Sequence, residues 1–266
     1  MELVEVTPGD SPVILGMPHT GTYIPEVIRK NMLPNAQTLR DTDWHIHKLY
    51  QNLLPGATTV RATFHRYVVD ANRDPKGQSL YPGQNTTGLV PLTDFDGMPL
   101  WKVQPTDAEI AIRRDTCHAA YHAALCAEIE RIKALHGVAV LYDCHSIRSH
   151  IPHLFEGKLP DLNIGTNNGR SCARALEAAA LRISTAATDY TSVLNGRFKG
   201  GWTTRHYGQP GRGVHAIQME LAQATHLRTE GPPFEFDPDK SAPLQDVLGR
   251  ILRTLETLAP TFRSVA

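Results

Sequence analysis

Short continuous runs of apolar residues alternate with longer segments of helical periodicity, and this alternation limits the possible folds more than any other feature. Residues 13–17 (VILGM), 138–142 (VAVLY) and 214–221 (VHAIQMEL) predict buried strands, because unbroken apolar runs suit strands covered on both faces. Residues 106–137, which open with a Thr-x-x-Glu capping box, and 244–258 predict long helices. Further strands are predicted at 58–63, 67–71 and 162–165, and further helices at 24–31, 43–54 and 170–183. The pattern predicts an α/β protein whose sheet is covered by helices.

The length of the chain and one polar stretch predict its domain organisation. The chain has 266 residues, and α/β folds of roughly 250 residues are often single units. We therefore expect one domain over residues 1–266. The segment from Asn72 to about Gln104 is rich in glycine and proline. A loop of this length within a compact domain is usually functional, so residues 74–104 predict a functional loop, with disorder as the alternative.

Charge and composition exclude several classes of function. Lys and Arg total 27 and so do Asp and Glu, so no overall field attracts nucleic acid or an anionic membrane. No apolar run approaches the roughly 18 residues of a membrane span. The start, MELVEVTPGDSP, lacks the apolar core of a secretory signal, which predicts a cytoplasmic protein. The four cysteines form no CxxC pair, which predicts reduced thiols. The sequence carries no signal for oligomeric state.

Two histidines stand directly after predicted strands. His19 follows the strand at 13–17, and His145 lies in the DCHS motif that follows the strand at 138–142. Ligands of α/β sheets bind beyond the carboxyl ends of strands, and two imidazoles with one carboxylate are a usual protein ligand set of catalytic zinc. Asp43 or Asp41 could supply the carboxylate. The alternative for each histidine alone is a structural or surface role.

Glu220 and Arg73 also occupy positions that suggest chemistry. A carboxylate within the apolar strand at 214–221 costs several kcal/mol to bury unless it is paired or lies in a site. Glu220 is therefore either an ion-pair partner of an arginine or a general base. Asn72-Arg73 follows the predicted strand at 67–71 and suits bidentate capture of a carboxylate. The alternative is pairing of Arg73 with a neighbouring aspartate, Asp70 or Asp74.

A glycine-rich segment and a helical histidine pair are less specific. Residues 195–206 (NGRFKGGWTTRH) hold three cations beside glycines, which suits an anionic substrate but fits a solvated turn equally well. His118 and His122 are four residues apart on a predicted helix. They lack the glutamate of an HExxH motif, so a solvated helix face is the favoured interpretation.

Several motifs, taken together, resemble one enzyme family. PHTG, DTDW, RYVVDANRD, LYDCHS, NGRFKGGWTTRHYG and IQMEL occur in this order between about residues 10 and 230. The combination resembles the N-formylglutamate deformylase family, also called N-formylglutamate amidohydrolase. The resemblance implies hydrolysis of N-formyl-L-glutamate, a small anionic substrate, to L-glutamate and formate in histidine degradation. It also implies a fold similar to the zinc carboxypeptidases, a phosphorylase/hydrolase-like sandwich around a mixed sheet.

The resemblance also implies roles for individual residues. His19 and His145 would bind Zn²⁺ or another divalent transition metal, with Glu220 as the general base. The carboxypeptidase pattern places its acidic ligand three residues after the first histidine, where this chain has Thr22. Threonine cannot serve as that ligand, so Asp43 is preferred, ahead of Asp41 and Asp143.

The remaining roles concern the substrate. Asn72 and Arg73 would hold a substrate carboxylate, Arg205 and Lys199 would help to neutralise the dianion, and His206 would steady the oxyanion. Two alternatives are a related zinc amidohydrolase or carboxypeptidase for another N-acyl amino acid, and a metal-dependent binding protein without turnover. Glu220 argues against the latter, because a binding site needs no buried base.

Overall fold

A seven-stranded mixed sheet forms the centre of the part of the chain that the computed structural model describes, which is residues 2–79, 83 and 85–263. Its strand order is β1-β3-β2-β4-β7-β5-β6. The strands are β1 (Val4–Thr7), β2 (Val13–Met17), β3 (Thr58–Ala62), β4 (Ala139–Ile147), β5 (Leu162–Gly165), β6 (Ser192–Leu194) and β7 (Val214–Ala222). The pairs β1/β3 and β5/β7 are antiparallel and the other neighbours are parallel. The mixed sheet agrees with the predicted fold class.

Helices cover both faces of this sheet. They are α1 (Glu26–Arg29), α2 (Ile46–Leu49), α3 (Asp107–Arg113), α4 (Ala119–His136), α5 (Arg174–Ala186), α6 (Trp202–Tyr207) and α7 (Pro238–Leu258). A π-helical turn, Arg114–His118, joins α3 to α4. One core cluster joins a sheet face to α5 and α7, and a second joins the other face to α4. No helix in the described ranges is long and apolar enough to cross a membrane.

The two longest strands, β4 and β7, pair in parallel along their whole length. Alternate residues of β4 point to opposite faces, so Ala139 and Leu141 pack in the α4 core while Asp143 and His145 continue the same row. On β7 the corresponding row ends in Gln218 and Glu220, and Glu220 lies opposite His145. The α4 side of the sheet is therefore apolar where the strands begin and polar where they end.

Several predicted elements have different bounds from those observed. The strand predicted at 138–142 begins at Ala139 and continues to Ile147, so His145 lies within β4 and does not follow it. The predicted helix at 43–54 shrinks to α2. Strands β1 and β6 were not predicted. The capping box at Thr106 is confirmed: its side chain accepts a hydrogen bond from the Glu109 N–H, and Glu109 reaches back to the Thr106 N–H.

The predicted strand at 67–71 is wrong, because these residues form a turn. His65 closes this turn, with its Nδ1 accepting the Tyr67 N–H at 3.1 Å and its carbonyl accepting the Val68 N–H at 2.9 Å. Arg66 and Asp70 then form an ion pair of 2.6 Å across it. The apolar side chains that suggested a strand are buried in the α4 core cluster. Burial, and not pairing with another strand, explains the apolar pattern.

Candidate active site

Three side chains that could hold a metal ion meet at the carboxyl edge of the sheet. His19 lies two residues beyond β2, His145 lies in β4, and Asp43 lies in the turn before α2. The Asp43 N–H donates to the carbonyl of His19 at 3.0 Å, which holds that turn against the end of β2. All three side chains are buried, and their ligand atoms lie within 4.8 Å of one another. We call His19, Asp43 and His145 the candidate ligand set.

The hydrogen bonds around the candidate ligand set fit a metal ion. His19 Nε2 lies 2.7 Å from Asp70 Oδ1, and His145 Nε2 lies 3.1 Å from Asp143 Oδ2. Both Nδ1 atoms face Asp43 Oδ2, at 3.7 and 3.1 Å. His19 Nδ1 and Asp43 Oδ1 are buried without a hydrogen-bond partner. Carboxylates behind metal-binding histidines commonly fix the ring and its tautomer, so Asp70 and Asp143 suit this role.

Opposite charges lower the pKa of Asp43 despite its burial. Burial by itself would raise the pKa of Asp43, but hydrogen bonds and charges from His145 and His19 outweigh it and lower the pKa. Burial by itself would lower the pKa of His145, but the charges and hydrogen bonds of Asp143 and Asp43 outweigh it and raise the pKa. The two carboxylates therefore favour the protonated form of His145. A metal ion would take the place of that proton.

The two other acids considered as ligands have other contacts than the Nδ1 atoms of His19 and His145. Asp41 Oδ2 accepts hydrogen bonds from the Tyr67 hydroxyl at 2.8 Å and the Phe95 N–H at 2.9 Å. Burial raises its pKa to about 6, against the hydrogen bond from Tyr67. Asp143 contacts the outer nitrogen of His145. Of the three acids, Asp43 is the one whose carboxylate reaches both Nδ1 atoms.

Glu220 lies on β7 beside the candidate ligand set. Its strand position opposite His145 places it on the same face of the sheet. Burial raises the pKa of Glu220 to about 8, the charge of His145 lowers it, and the charge of Asp43 raises it further. Gln218 Nε2 donates to Glu220 Oε2 at 3.0 Å. Within the described residues no Lys, Arg or His nitrogen lies within 4.0 Å of its carboxylate, so the predicted alternative of an ion pair with arginine finds no partner there.

A cavity of about 230 Å³ opens above these groups. Its lining includes His19, His145 and Glu220, and residues 77–79 and 85–89 of the predicted functional loop. Pockets for drug-sized ligands hold roughly 300–1,000 Å³, so this space suits a small metabolite.

Asn72 and Arg73 line the cavity as a neighbouring pair. Asn72 Nδ2 lies 3.1 Å from His145 Nε2, and Asn72 Oδ1 accepts the Thr203 N–H at 2.9 Å. Arg73 Nε donates to the Thr87 carbonyl at 2.9 Å, and its Nη1 lies 3.8 Å from Asp70 Oδ2. The predicted pairing with an aspartate is therefore present, and Arg73 also lines the cavity.

Three residues with predicted roles at the site are not brought to the cavity. Lys199, Arg205 and His206 are absent from the described residues that line it. Arg205 Nε donates to the carbonyl of Gly200 at 2.8 Å, within its own turn. His206 is exposed and stacks on Trp202, with ring centroids 4.2 Å apart. Their roles stay predictions.

Sequence reasoning missed four residues of this region. Arg66 and Arg197 line the cavity, as does Gln218, and Asp70 supports His19. Arg66 and Asp70 lie four residues apart within RYVVDANRD, a spacing that would have suggested an ion pair had the segment been interpreted as a turn. Arg197 was noted only as one of three cations in the glycine-rich segment, and the sequence gives no ground for separating them.

The predicted solvated position of His118 and His122 is wrong. Both rings are buried, and their Nε2 atoms lie 3.0 Å from the Arg73 carbonyl and 2.7 Å from the Ala71 carbonyl. Burial lowers the pKa of both, and a backbone contact raises it only partly. The neutral rings can each donate an N–H to a carbonyl. They thereby hold the segment that carries Asn72 and Arg73.

The fold and the site together define a class of protein. Two histidines and a buried aspartate at the carboxyl edge of the sheet could hold a metal ion, and they lie beside a buried glutamate in a small cavity, an arrangement found in hydrolases that use a metal. The comparisons with known proteins assign the family.

The model of the N-formylglutamate amidohydrolase family matches residues 11–227. The N-formylglutamate deformylase of Pseudomonas putida is 44% identical over 250 residues, which are 93% of each chain. That of Pseudomonas aeruginosa is 44% identical over 257 residues, 96% of each chain. The chain belongs to the N-formylglutamate amidohydrolase family.

Solved structures agree with this assignment. The N-formylglutamate amidohydrolase of Ralstonia eutropha JMP134 superposes with a TM-score of 0.80 at 25% identity, covering 97% of this chain and 98% of that one. A gene product of Agrobacterium tumefaciens superposes with a TM-score of 0.72 at 18% identity, covering 96% and 97%. The second likeness concerns the fold alone.

The contact between Gly201 and Asn72 generates a stability prediction. A Cβ on Gly201 would collide with the side-chain amide of Asn72, so Gly201→Ala must displace the Asn72 side chain or the start of α6. We expect this overpacking to cost about 1–3 kcal/mol in the free energy of unfolding, measured in urea. Gly211→Ala is the control, because a Cβ there meets nothing within 4 Å. Equal stability of the two variants would contradict the prediction.

Proposed function

We propose that this protein hydrolyses N-formyl-L-glutamate to L-glutamate and formate, as the names of its relatives suggest. The observation that carries the proposal is the position of Glu220 beside the candidate ligand set at the floor of a small cavity lined by arginines. We further propose that the reaction belongs to histidine degradation in the cytoplasm, on the ground of the family resemblance.

The candidate ligand set would hold Zn²⁺ or another divalent transition metal, which when bound supplies a Lewis acid that polarises the formyl oxygen and acidifies water. Zinc is our preferred ion, because two histidines and one carboxylate are a usual set for it. Asp70 and Asp143 would orient the two imidazoles from behind through their Nε2 atoms.

Glu220 would move the proton. Its carboxylate takes a proton from the attacking water, whose oxygen forms a bond to the formyl carbon. The same proton then passes to the amide nitrogen as the C–N bond breaks, which releases formate and the amine of glutamate. A base pKa near the working pH suits both transfers, and burial moves the pKa of Glu220 in that direction.

Arg66 would supply positive charge beside the reacting carbonyl. Its guanidinium lines the cavity, with Nη1 3.7 Å from Asp43 Oδ1. Its ion pair with Asp70 fixes it in place, so little reorganisation is needed when negative charge develops on the oxygen. We propose Arg66 for this role ahead of His206, because His206 stacks on Trp202 outside the cavity lining.

Asn72 and Arg73 would bind a carboxylate of the substrate. Both line the cavity, and Asn72 lies next to His145. A guanidinium and a carboxylate form strong paired hydrogen bonds when both are shielded from water. Lys199 and Arg205 could add charge from the same segment, a contribution that stays a prediction.

Metal content tests the candidate ligand set. We expect one ion per chain in the wild type, loss of most of it in His145→Ala, and at least about tenfold weaker binding in Asp43→Asn, because a neutral amide is a poorer ligand. Elemental analysis and competition with a chelator measure both. Asp41→Asn is the matched control and should keep its metal. If Asp43→Asn retained the metal and Asp41→Asn lost it, Asp43 would be the wrong choice of ligand. Full hydrolysis by metal-free protein would refute a role for the metal in the reaction.

Formate release from N-formylglutamate tests Glu220. Glu220→Gln keeps the size of the side chain but cannot accept the proton, so we expect kcat to fall by roughly 100-fold or more with metal still bound. The exposed Glu130→Gln is the control for a charge change remote from the cavity. A Glu220→Gln enzyme that retained the metal and near wild-type kcat would remove the general base from the mechanism.

A further inference from the structure

Three arginines line the cavity among the residues that the structure describes, and their surroundings differ. Arg66 is buried against the candidate ligand set, with Nη2 2.6 Å from Asp70 Oδ2. Arg73 follows Asn72, and its Nη1 lies 3.8 Å from Asp70 Oδ2, the carboxylate that contacts His19. Arg197 is half-buried on the segment between β6 and α6, and the proposed mechanism gives it no part.

Arg73 and Arg197 both donate hydrogen bonds to the short loop segment at residues 85–87. Arg73 donates from Nε to the Thr87 carbonyl at 2.9 Å and from Nη2 to Thr87 Oγ1 at 3.0 Å. Arg197 donates from Nη2 to the Asn85 carbonyl at 3.2 Å and from Nε to the Leu154 carbonyl at 3.1 Å. Each guanidinium is therefore oriented by backbone or hydroxyl oxygens while it lines the cavity.

This common anchor limits the distance between the two cations. Asn85 and Thr87 are two residues apart, so their Cα atoms lie within about 7 Å of each other whatever the conformation between them. Thr86, the residue between them, also lines the cavity. Two guanidinium groups tied to such neighbouring points suit a ligand whose two anionic groups are separated by only a few bonds.

We propose that Arg197 binds the side-chain carboxylate of the substrate while Arg73 binds the α-carboxylate, so that residues 85–87 set the spacing for a dicarboxylic amino acid. This inference rests on the proposed function. The α-carboxylate is attached to the carbon that carries the formylated nitrogen. Asn72 lies 3.1 Å from His145, and Arg73 lies beside Asp70, which supports His19. Arg197, anchored on Leu154 and Asn85, is left for the carboxylate at the far end of the side chain.

Comparison of N-formylglutamate with its side-chain amide, N-formylglutamine, distinguishes the roles of the two arginines. N-formylglutamine keeps the α-carboxylate but lacks the second charge. Arg197→Met should lower kcat/KM for N-formylglutamate by about 10- to 100-fold, chiefly through KM, because hydrogen bonds to a charged group are lost. It should leave kcat/KM for N-formylglutamine within about twofold. Arg73→Met should lower kcat/KM for both substrates, since both carry the α-carboxylate.

The control is Arg212→Met, which removes an exposed arginine outside the described lining of the cavity. It should keep wild-type values for both substrates. An Arg197→Met enzyme that retained the wild-type preference for N-formylglutamate over N-formylglutamine would overturn the assignment. Equal losses for both substrates would also overturn it, because they would indicate damage to the cavity as a whole.

Binding of glutarate tests the roles of the arginines independently of the proposed hydrolysis. Glutarate has the two carboxylates of glutamate at the same carbon spacing but no amide to hydrolyse. Calorimetry on the metal-loaded protein should give at least about tenfold weaker binding of glutarate in Arg197→Met than in the wild type or Arg212→Met. Absence of formate release from the wild type would refute the proposed function alone. Unchanged glutarate binding in Arg197→Met would refute the dicarboxylate site.

Discussion

The parallel ladder between β4 and β7 is the constraint on which the rest of the site depends. Its nine residue pairs run from Ala139 and Val214 to Ile147 and Ala222, and they place His145 opposite Glu220. A slip of one residue would turn every side chain of a strand to the other face. Glu220 would then enter the apolar core against α5 and α7. The register that buries the apolar halves of both strands thus also aligns the candidate ligand with the candidate base.

Burial of charge at the edge of this ladder is compensated by a connected set of ion pairs. Asp70 accepts from Arg66 at 2.6 Å and contacts His19 at 2.7 Å. The burial of Asp70 would raise its pKa, but Arg66, Arg73 and His19 lower it further than burial raises it. Removal of one partner from such a group leaves an uncompensated buried charge. The turn at residues 65–70 is therefore part of the site's electrostatics as well as its fold.

Sequence alone predicted the parts of the site that depend on strand position. His19, His145 and Glu220 stand at or near the carboxyl ends of strands, and a topological rule about such ends suffices to select them. It could not predict Asp70 or Asp143, because their role depends on which imidazole nitrogen faces them. The same limit explains the wrong strand at 67–71. Apolar content reports burial, and a buried turn and a buried strand have the same composition.

The glycine-rich segment shows why its cations could not be told apart from sequence. Gly200 has a φ of +104°, and Gly201 packs against Asn72 with no room for a Cβ. These two residues precede α6, which begins at Trp202. Arg197, before them, lines the cavity, whereas Arg205, after them, donates back to Gly200. Because Gly201 lies directly against Asn72, the position of Asn72 depends on the path of this segment. The same path determines which of the segment's cations lines the cavity and can contact a substrate.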